Sequence, residues 1–264
     1  MIRRLISGNK ILIENIYSLG ALQFINYFFP FITFPYLVRV VGIEKFGLVN
    51  FASAFVGYFI LITDYGFNIS AVRNISIHRN EKEQLQRTIS SIFIIKLSLF
   101  FLSLLLFLSL VLMIKIFYNE IDLYLITFLI VLGNLLTPNW FFQGIEKTKY
   151  ITIITLITKS IWTFSIFLLI KNKDDYILWV ILNSIQVFLT GIILFIIMLA
   201  KYDIKFILPQ IEEIKYQLKD GGLIFLSTCS ISVYTISNTF ILGLFTSNTN
   251  VGYFVGADKI RQAF

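Results

Sequence analysis

The sequence predicts an all-α, polytopic membrane helix bundle, and three observations carry that prediction. Seven apolar runs, at residues 16–38, 47–72, 91–116, 123–142, 151–170, 176–200 and 223–245, each hold the ~20 residues that a helix needs to cross a hydrocarbon core. The 264 residues are 57% hydrophobic and 14% charged with a mean hydropathy of +0.83, whereas soluble domains carry about 25% charge. Nearly every run also carries a polar seam along one helical face. A lone anchor has no need of such seams; on many helices together they imply a polar interior and the passage of something polar.

The basic residues order the runs across the membrane. Arg3, Arg4 and Lys10 precede run one; Arg73, Arg79, Lys82 and Arg87 follow run two; Lys147 and Lys149 follow run four; Lys201, Lys205, Lys215 and Lys219 follow run six. The opposing gaps hold only Arg39, Lys45, Lys115, Lys171 and Lys173, a tally of thirteen against five. The positive-inside bias therefore predicts a cytoplasmic N-terminus and cytoplasmic gaps after the even-numbered runs. It also accounts for the net charge of +7 without a nucleic-acid surface. In the second long gap, Ile211, Ile214 and Leu218 recur at helical spacing among Glu212, Glu213, Lys215 and Lys219, which predicts a short helix lying at the interface. No gap is long enough for a folded extramembrane domain.

Run one sets Gln23, Asn26, Pro30 and Thr33 on one face, and Pro30 and Pro35 predict a kink because each removes a backbone donor. Run two aligns Asn50, Ser53, Gly57, Asp64 and Asn68. Run three is mostly Leu and Phe apart from Lys96 and serines, so it should face lipid, with Lys96 near the start of the run reaching the interface. Run five carries Thr152, Thr155, Lys159 and Thr163; run six carries Asn183, Gln186 and Thr190. Run seven has an apolar arc of Phe225, Leu226, Cys229, Val233, Ile236 and Phe240, and Ser, Thr and Asn over the rest. Small polar residues also serve to pack helices, but that does not account for Asp64, Lys96 and Lys159. An ionisable group at mid-bilayer costs ~2.5–3.5 kcal/mol, so such groups line a cavity or pair. Lys159, deep in its run, is the leading cavity cation. Asp64 is expected to pair with Arg73 or to sit in a wet vestibule.

An internal repeat sets the organisation. Phe46–Ala54 reads FGLVNFASA and Val251–Lys259 reads VGYFVGADK, aligning Gly47 with Gly252 and Ala52 with Ala257. Run seven is then the counterpart of run one. Residues 1–200 form a six-helix lobe, 201–220 an interlobe linker and 221–264 the start of a second lobe. Two such repeats would need about 410 residues and twelve spans, so the sequence reads as part of a longer protein. Asp258, Lys259 and Arg261 open span eight near its outer end, as a solvated helix start or as part of a polar path.

Other chemistry is excluded or bland. Cys229 is the only cysteine and His78 the only histidine, which removes internal disulfides and clustered Cys or His metal sites; His78 is expected in a solvated loop. The N-terminus has no cleavable signal pattern. There is no nucleophile elbow, phosphate-cradling glycine loop or paired carboxylates, so the chain is expected not to be an enzyme and to hold no cofactor.

Four stretches make the chain resemble a known family: VVGIEKFGLVNFASAF from Val40, ITDYGFNISAVRNIS from Ile62, TPNWFFQGIEKTKYI from Thr137 and KDGGLIFLSTCSISVYTISNTFILGLFTSNTNVGYFVGADKI from Lys219. They resemble the O-antigen and polysaccharide repeat-unit flippases of the multidrug/oligosaccharidyl-lipid/polysaccharide exporter superfamily. The resemblance implies two six-helix lobes around a central cavity in the bacterial inner membrane. It implies a substrate, an oligosaccharide on undecaprenyl diphosphate, turned from the cytoplasmic to the periplasmic leaflet by alternating access coupled to a proton or sodium ion. Other polysaccharide assembly proteins would be partners. With that reading, Asn26, Asp64, Arg73, Lys159, Asn183, Gln186, Asp258 and Lys259 are the candidate substrate path. A peptidoglycan-precursor flippase and a cation-coupled drug exporter of the same superfamily are the near alternatives. A membrane polysaccharide polymerase is the alternative from another class, against which stands the lack of a long loop.

Overall fold

The computed structural model describes residues 2–263, excluding the side chains of residues 2–9, 11, 233, 262 and 263. Arg3, Arg4 and Val233, which enter the sequence reading, lie outside the described side chains. The described residues are mainly helical, with an irregular segment at residues 203–210: α1 Ile2–Asp64, α2 Phe67–His78, α3 Lys82–Met113, α4 Lys115–Tyr118, α5 Ile121–Leu136, α6 Asn139–Gly144, α7 Lys149–Leu169, α8 Tyr176–Tyr202, α9 Ile211–Thr235, α10 Ser237–Phe245 and α11 Asn248–Ala263. Among the described residues, five helical stretches are long and apolar enough to cross a membrane, and the bent pair α9–α10 makes a sixth.

The first of those stretches holds two of the seven runs, because α1 reverses at Gly42. Its backbone there, φ 82° and ψ 156°, is open to glycine and costly for any other residue. The arm before Gly42 lies parallel to α7: the Thr148 hydroxyl donates to Asn15 Oδ1 (2.7 Å) at one end, and the Tyr36 hydroxyl donates to the Ile170 carbonyl (2.6 Å) at the other. The arm after Gly42 returns, from Lys45 beside Glu120 (3.9 Å) to Asp64 beside Lys96 (2.8 Å). Pro30 and Pro35 lie within the first arm without ending it.

Three runs depart from simple spans. Run two breaks at Tyr65 and Gly66, both in the left-handed region (φ 45° and 76°), so that α2 starts afresh at Phe67. A Cβ on Gly66 would meet the Phe225 amide nitrogen at 2.8 Å, so the break is also a close contact with α9. Run four breaks at Thr137–Pro138, where proline lacks the donor that would continue α5. Run seven bends by 49° between α9 and α10. The separate interfacial helix expected around Ile211 is not formed. A capping box of Gln210 and Glu213 starts α9, which runs without a break from residue 211 through 235, Gly221 and Gly222 included. The conformational cost of two glycines is outweighed by packing: both lie against the Tyr65 ring, which stacks on Phe225 (4.9 Å).

Two apolar cores hold the bundle. One is an aromatic stack of Phe51, Phe55, Phe59, Phe107, Phe117, Tyr124 and Phe128; the other gathers Phe67, Ile75, Ile89, Trp140, Phe141 and Met198. The outer face of α3, with Leu102, Leu105, Leu112 and Met113, is exposed as a lipid-facing surface requires. The gaps counted in the charge tally meet at common ends. Arg79–Glu146 (2.6 Å), Lys82–Asp203, Arg87–Glu213 (3.9 Å) and Lys149–Glu14 (3.0 Å) join one end, called here the basic end. At the opposite end, Lys45 lies over the Tyr176 ring, whose hydroxyl donates to Glu120 (3.1 Å).

The aligned glycines meet each other. A Cβ on Gly47 would collide with the Asn248 carbonyl and the Gly252 nitrogen; a Cβ on Gly252 would collide with the Ile43 carbonyl. Ile43 precedes Gly47 by the interval that separates Asn248 from Gly252, so the contact is reciprocal. The returning arm of α1 and α11 thus cross glycine on glycine, and any side chain would force the helices apart.

Candidate functional site

The central polar region lies between the two arms of α1 and α5, α7, α8 and α11. A cavity of about 170 Å³ is lined there by Pro30, Thr33, Asn50, Ser53, Asn183 and Lys259 among others, with Trp162 and Trp179 in its wall. One turn from that wall, Lys159 Nζ donates to Asn26 Oδ1 (2.7 Å). Lys159 and Lys259 are near enough for their like charges to interact. Trp162 Nε1 is buried and, among the described residues, donates to no protein acceptor. The region thus offers two ammonium groups, an indole N–H and several amides and hydroxyls, a donor-rich set suited to oxygens that carry negative charge.

Four of the eight sequence-derived positions, Asn26, Lys159, Asn183 and Lys259, are gathered here. Lys259 corrects its expectation: α11 begins at Asn248, so it lies ~16 Å along the helix, lining the cavity and not at a solvated start. Asp258 holds Arg261 (2.7 Å). Gln186 lies on the α7–α8 seam, donating to Thr190 Oγ1 (3.0 Å) and Thr158 Oγ1 (3.3 Å), while those hydroxyls share a bond of 2.7 Å.

Asp64 and Arg73 belong to another region, and their expected pairing is not formed. Asp64 accepts from Lys96 Nζ (2.8 Å) and from Asn68 Nδ2 (3.0 Å). Arg73 instead pairs with Asp220 on α9, and Asn74 bonds both Asp220 (3.1 Å) and Gln217 (2.9 Å). Lys96 does not reach the interface: it is 1% exposed, because the carboxylate beside it in the bundle is a nearer partner than water. Lys96 and Asp220 were missed as partners. Lys96 had a legible signal, since Asp64 and Lys96 are lone opposite charges in consecutive apolar runs; Asp220, in a gap rich in charge, had none. His78 also departs from a solvated loop, lying at the last turn of α2 with Nδ1 buried and, among the described residues, bonded to no protein group.

The chain matches the family model described as "Polysaccharide biosynthesis protein" over residues 12–264. It is 32% identical over 251 residues to a protein of Escherichia coli (strain K12) named "Putative O-antigen transporter", covering 95% of this chain and 60% of that protein. It is 33% identical to one of the same name from Shigella dysenteriae, covering 95% of this chain and 63% of that protein. The chain therefore spans roughly three-fifths of the length of these curated relatives. No solved structure matches it. With a family model matched along nearly its whole length and helices built to cross a membrane, this multi-pass membrane chain belongs to the polysaccharide biosynthesis protein family.

Proposed function

We propose that the chain is part of a transporter that turns a lipid-linked oligosaccharide, of the O-antigen type, from the cytoplasmic to the outer leaflet of the bacterial inner membrane. The observation that carries this reading is the set of donors at membrane depth, Lys159 with Asn26 and Lys259 with Asn183, drawn from four helical segments to one region. A sugar brings many hydroxyls and the diphosphate brings negative charge; moving either through hydrocarbon without partners costs several kcal/mol per group. Amides and hydroxyls replace the sugar's water, the two ammonium groups meet the phosphate, and the lipid tail stays in the bilayer. A drug exporter for cations would place acids in this region, whereas lysines stand there.

The thirteen-to-five tally supports a cytoplasmic basic end and N-terminus. Ion coupling would draw ~2.3 kcal/mol per charge per 100 mV, and Asp64, with a quarter of its side chain accessible, is the embedded acid that could carry a proton or sodium ion. Deleting the full-length gene in its host tests the proposal: lipid-linked repeat units should build up on the cytoplasmic leaflet and surface polysaccharide should vanish. Unchanged surface polysaccharide rejects it.

A further inference from the structure

At the basic end, between α2, α3 and the start of α9, lies a second cavity of about 280 Å³ lined by residues that each carry a polar group. Its nine lining residues include His78 from α2, Gln84 and Thr88 from α3, and Glu212, Tyr216 and Gln217 from α9. We propose that this pocket binds a single neutral sugar ring of the transported oligosaccharide, apart from the central region; the assignment rests on the proposed function.

The chemistry of the lining selects the ligand. Ligand pockets are mostly apolar with few polar groups, and an apolar ligand here would strand amides, hydroxyls and a carboxylate without water. A sugar ring is the complementary case, because every hydroxyl both donates and accepts, and Gln, His and Glu side chains meet it with both kinds of group. Part of the lining is already committed. Asn74 Nδ2 donates to Gln217 Oε1 (2.9 Å), which leaves Gln217 its amide hydrogens to offer. Glu213 is held by the Gln210 N–H (2.7 Å) and faces Arg87 (3.9 Å). Other groups are ready: His78 Nδ1 is buried without a protein partner among the described residues, and Tyr216 is 57% exposed, a flat ring against which the C–H face of a sugar can lie. The volume stands just below the ~300–1,000 Å³ of ligand pockets, which suits one ring and not a whole repeat unit. Glu212 and Glu213 disfavour an acidic sugar. The pocket also joins the α9 start to α2 and α3, so its occupancy would report a loaded substrate to the segment leading into run seven.

Saturation-transfer NMR on the full-length protein in nanodiscs, with glucose, N-acetylglucosamine and glucuronate as probes, tests this. Transfer is expected to the two neutral sugars and not to glucuronate. It should fall several-fold in Gln84→Ala/Tyr216→Ala and stay at the wild-type level in Leu105→Ala, on the exposed outer face of α3. Signal unchanged in the double variant, or equal transfer to glucuronate, overturns the proposal. Should the double variant fail to accumulate, Gln84→Ala alone, at an exposed helix position, carries the same test. The two readings separate cleanly. Loss of surface polysaccharide on gene deletion with sugar binding unaltered in the double variant removes the pocket alone. Sugar binding abolished in the double variant with polysaccharide intact on deletion supports a sugar-binding pocket but removes the transport reading, and with it the transported oligosaccharide as the pocket's ligand.

Discussion

Two lysines enter the bundle at depth, and they are treated differently. Lys96 is 1% exposed and bonded to the Asp64 carboxylate at 2.8 Å, with Asn68 on the same carboxylate. Lys159 has an amide, Asn26, at 2.7 Å and another ammonium, Lys259, near it. An amide oxygen orients an ammonium without neutralising it. The first lysine is therefore internally balanced, and the second retains a charge that no carboxylate among the described residues pairs with. Ionisable groups at membrane depth commonly mark substrate or ion pathways, so on the proposed function the second lysine is where an anion would be met. The contrast separates a structural charge from a working one by the partner and not by depth.

Breaking the balanced pair should give the largest loss of stability. Lys96→Ala leaves the Asp64 carboxylate without its counter-charge, a change that costs ~3–5 kcal/mol at buried pairs, and the protein should extract from membranes in low yield with a lowered melting temperature. The double variant Lys96→Met/Asp64→Leu removes both charges and should recover most of that loss. If the double variant is stable but transport is dead, Asp64 carries the coupling ion; if transport survives, the pair is structural. A single variant as stable as wild type would end the contrast with Lys159.

The glycine crossing should come next. Gly252→Ala places a methyl on the Ile43 carbonyl and Gly47→Ala places one on the Asn248 carbonyl, each costing about 1–3 kcal/mol as the helices part. Because the contact is reciprocal, the double variant should cost less than the sum of the singles, the first substitution having already separated the backbones. Additive thermal shifts would place the two glycines in independent contacts. Lys159→Ala should move stability less, within about 1 kcal/mol: the lost charged hydrogen bond (~1.5–3 kcal/mol) is offset by no longer embedding an ammonium. Transport of lipid-linked units should nevertheless fall to background, with Lys159→Arg retaining part of it. Full transport by Lys159→Ala removes this lysine from the path.

The sequence made some of this legible and left the rest to geometry. Run lengths and charge alternation were enough for an all-helical bundle with two distinct ends, because both are set by the bilayer and not by the neighbours. The Asn26–Lys159 meeting was half legible: each stands in a seam, but only packing decides which seams face each other. The breaks at Gly66 and Pro138 carry plain turn chemistry, yet run hydrophobicity continues across both and hides them. The stretch around Ile211 misled in the opposite sense, reading as a separate interfacial helix where α9 continues through Gly221 and Gly222 because tertiary contact with Tyr65 holds it. Lys259 was misplaced because its depth depends on where α11 begins, and helix ends are the least periodic feature of a sequence.

The smallest effect belongs to the pairs at the basic end, and its pH dependence distinguishes them from the buried one. The Lys82 ammonium beside Asp203 holds that carboxyl below its ordinary range, with both side chains 62% exposed. A carboxyl depressed by folding contributes stability at pH values above its unfolded value, about 3.9, and loses it as the pH falls through the folded value. Asp203→Asn should therefore melt slightly below wild type at neutral pH, and the gap should close on acidification through the carboxylate range. Added salt at neutral pH should narrow the same gap, since exposed charges are screened within a Debye length of ~10 Å at 0.1 M. The Lys96→Ala deficit, arising at a lysine that is 1% exposed, should respond to salt less than the Asp203 gap does. A gap at Asp203 that widens in acid, or a Lys96 deficit that salt erases, would mean that the two pairs have exchanged the environments assigned to them.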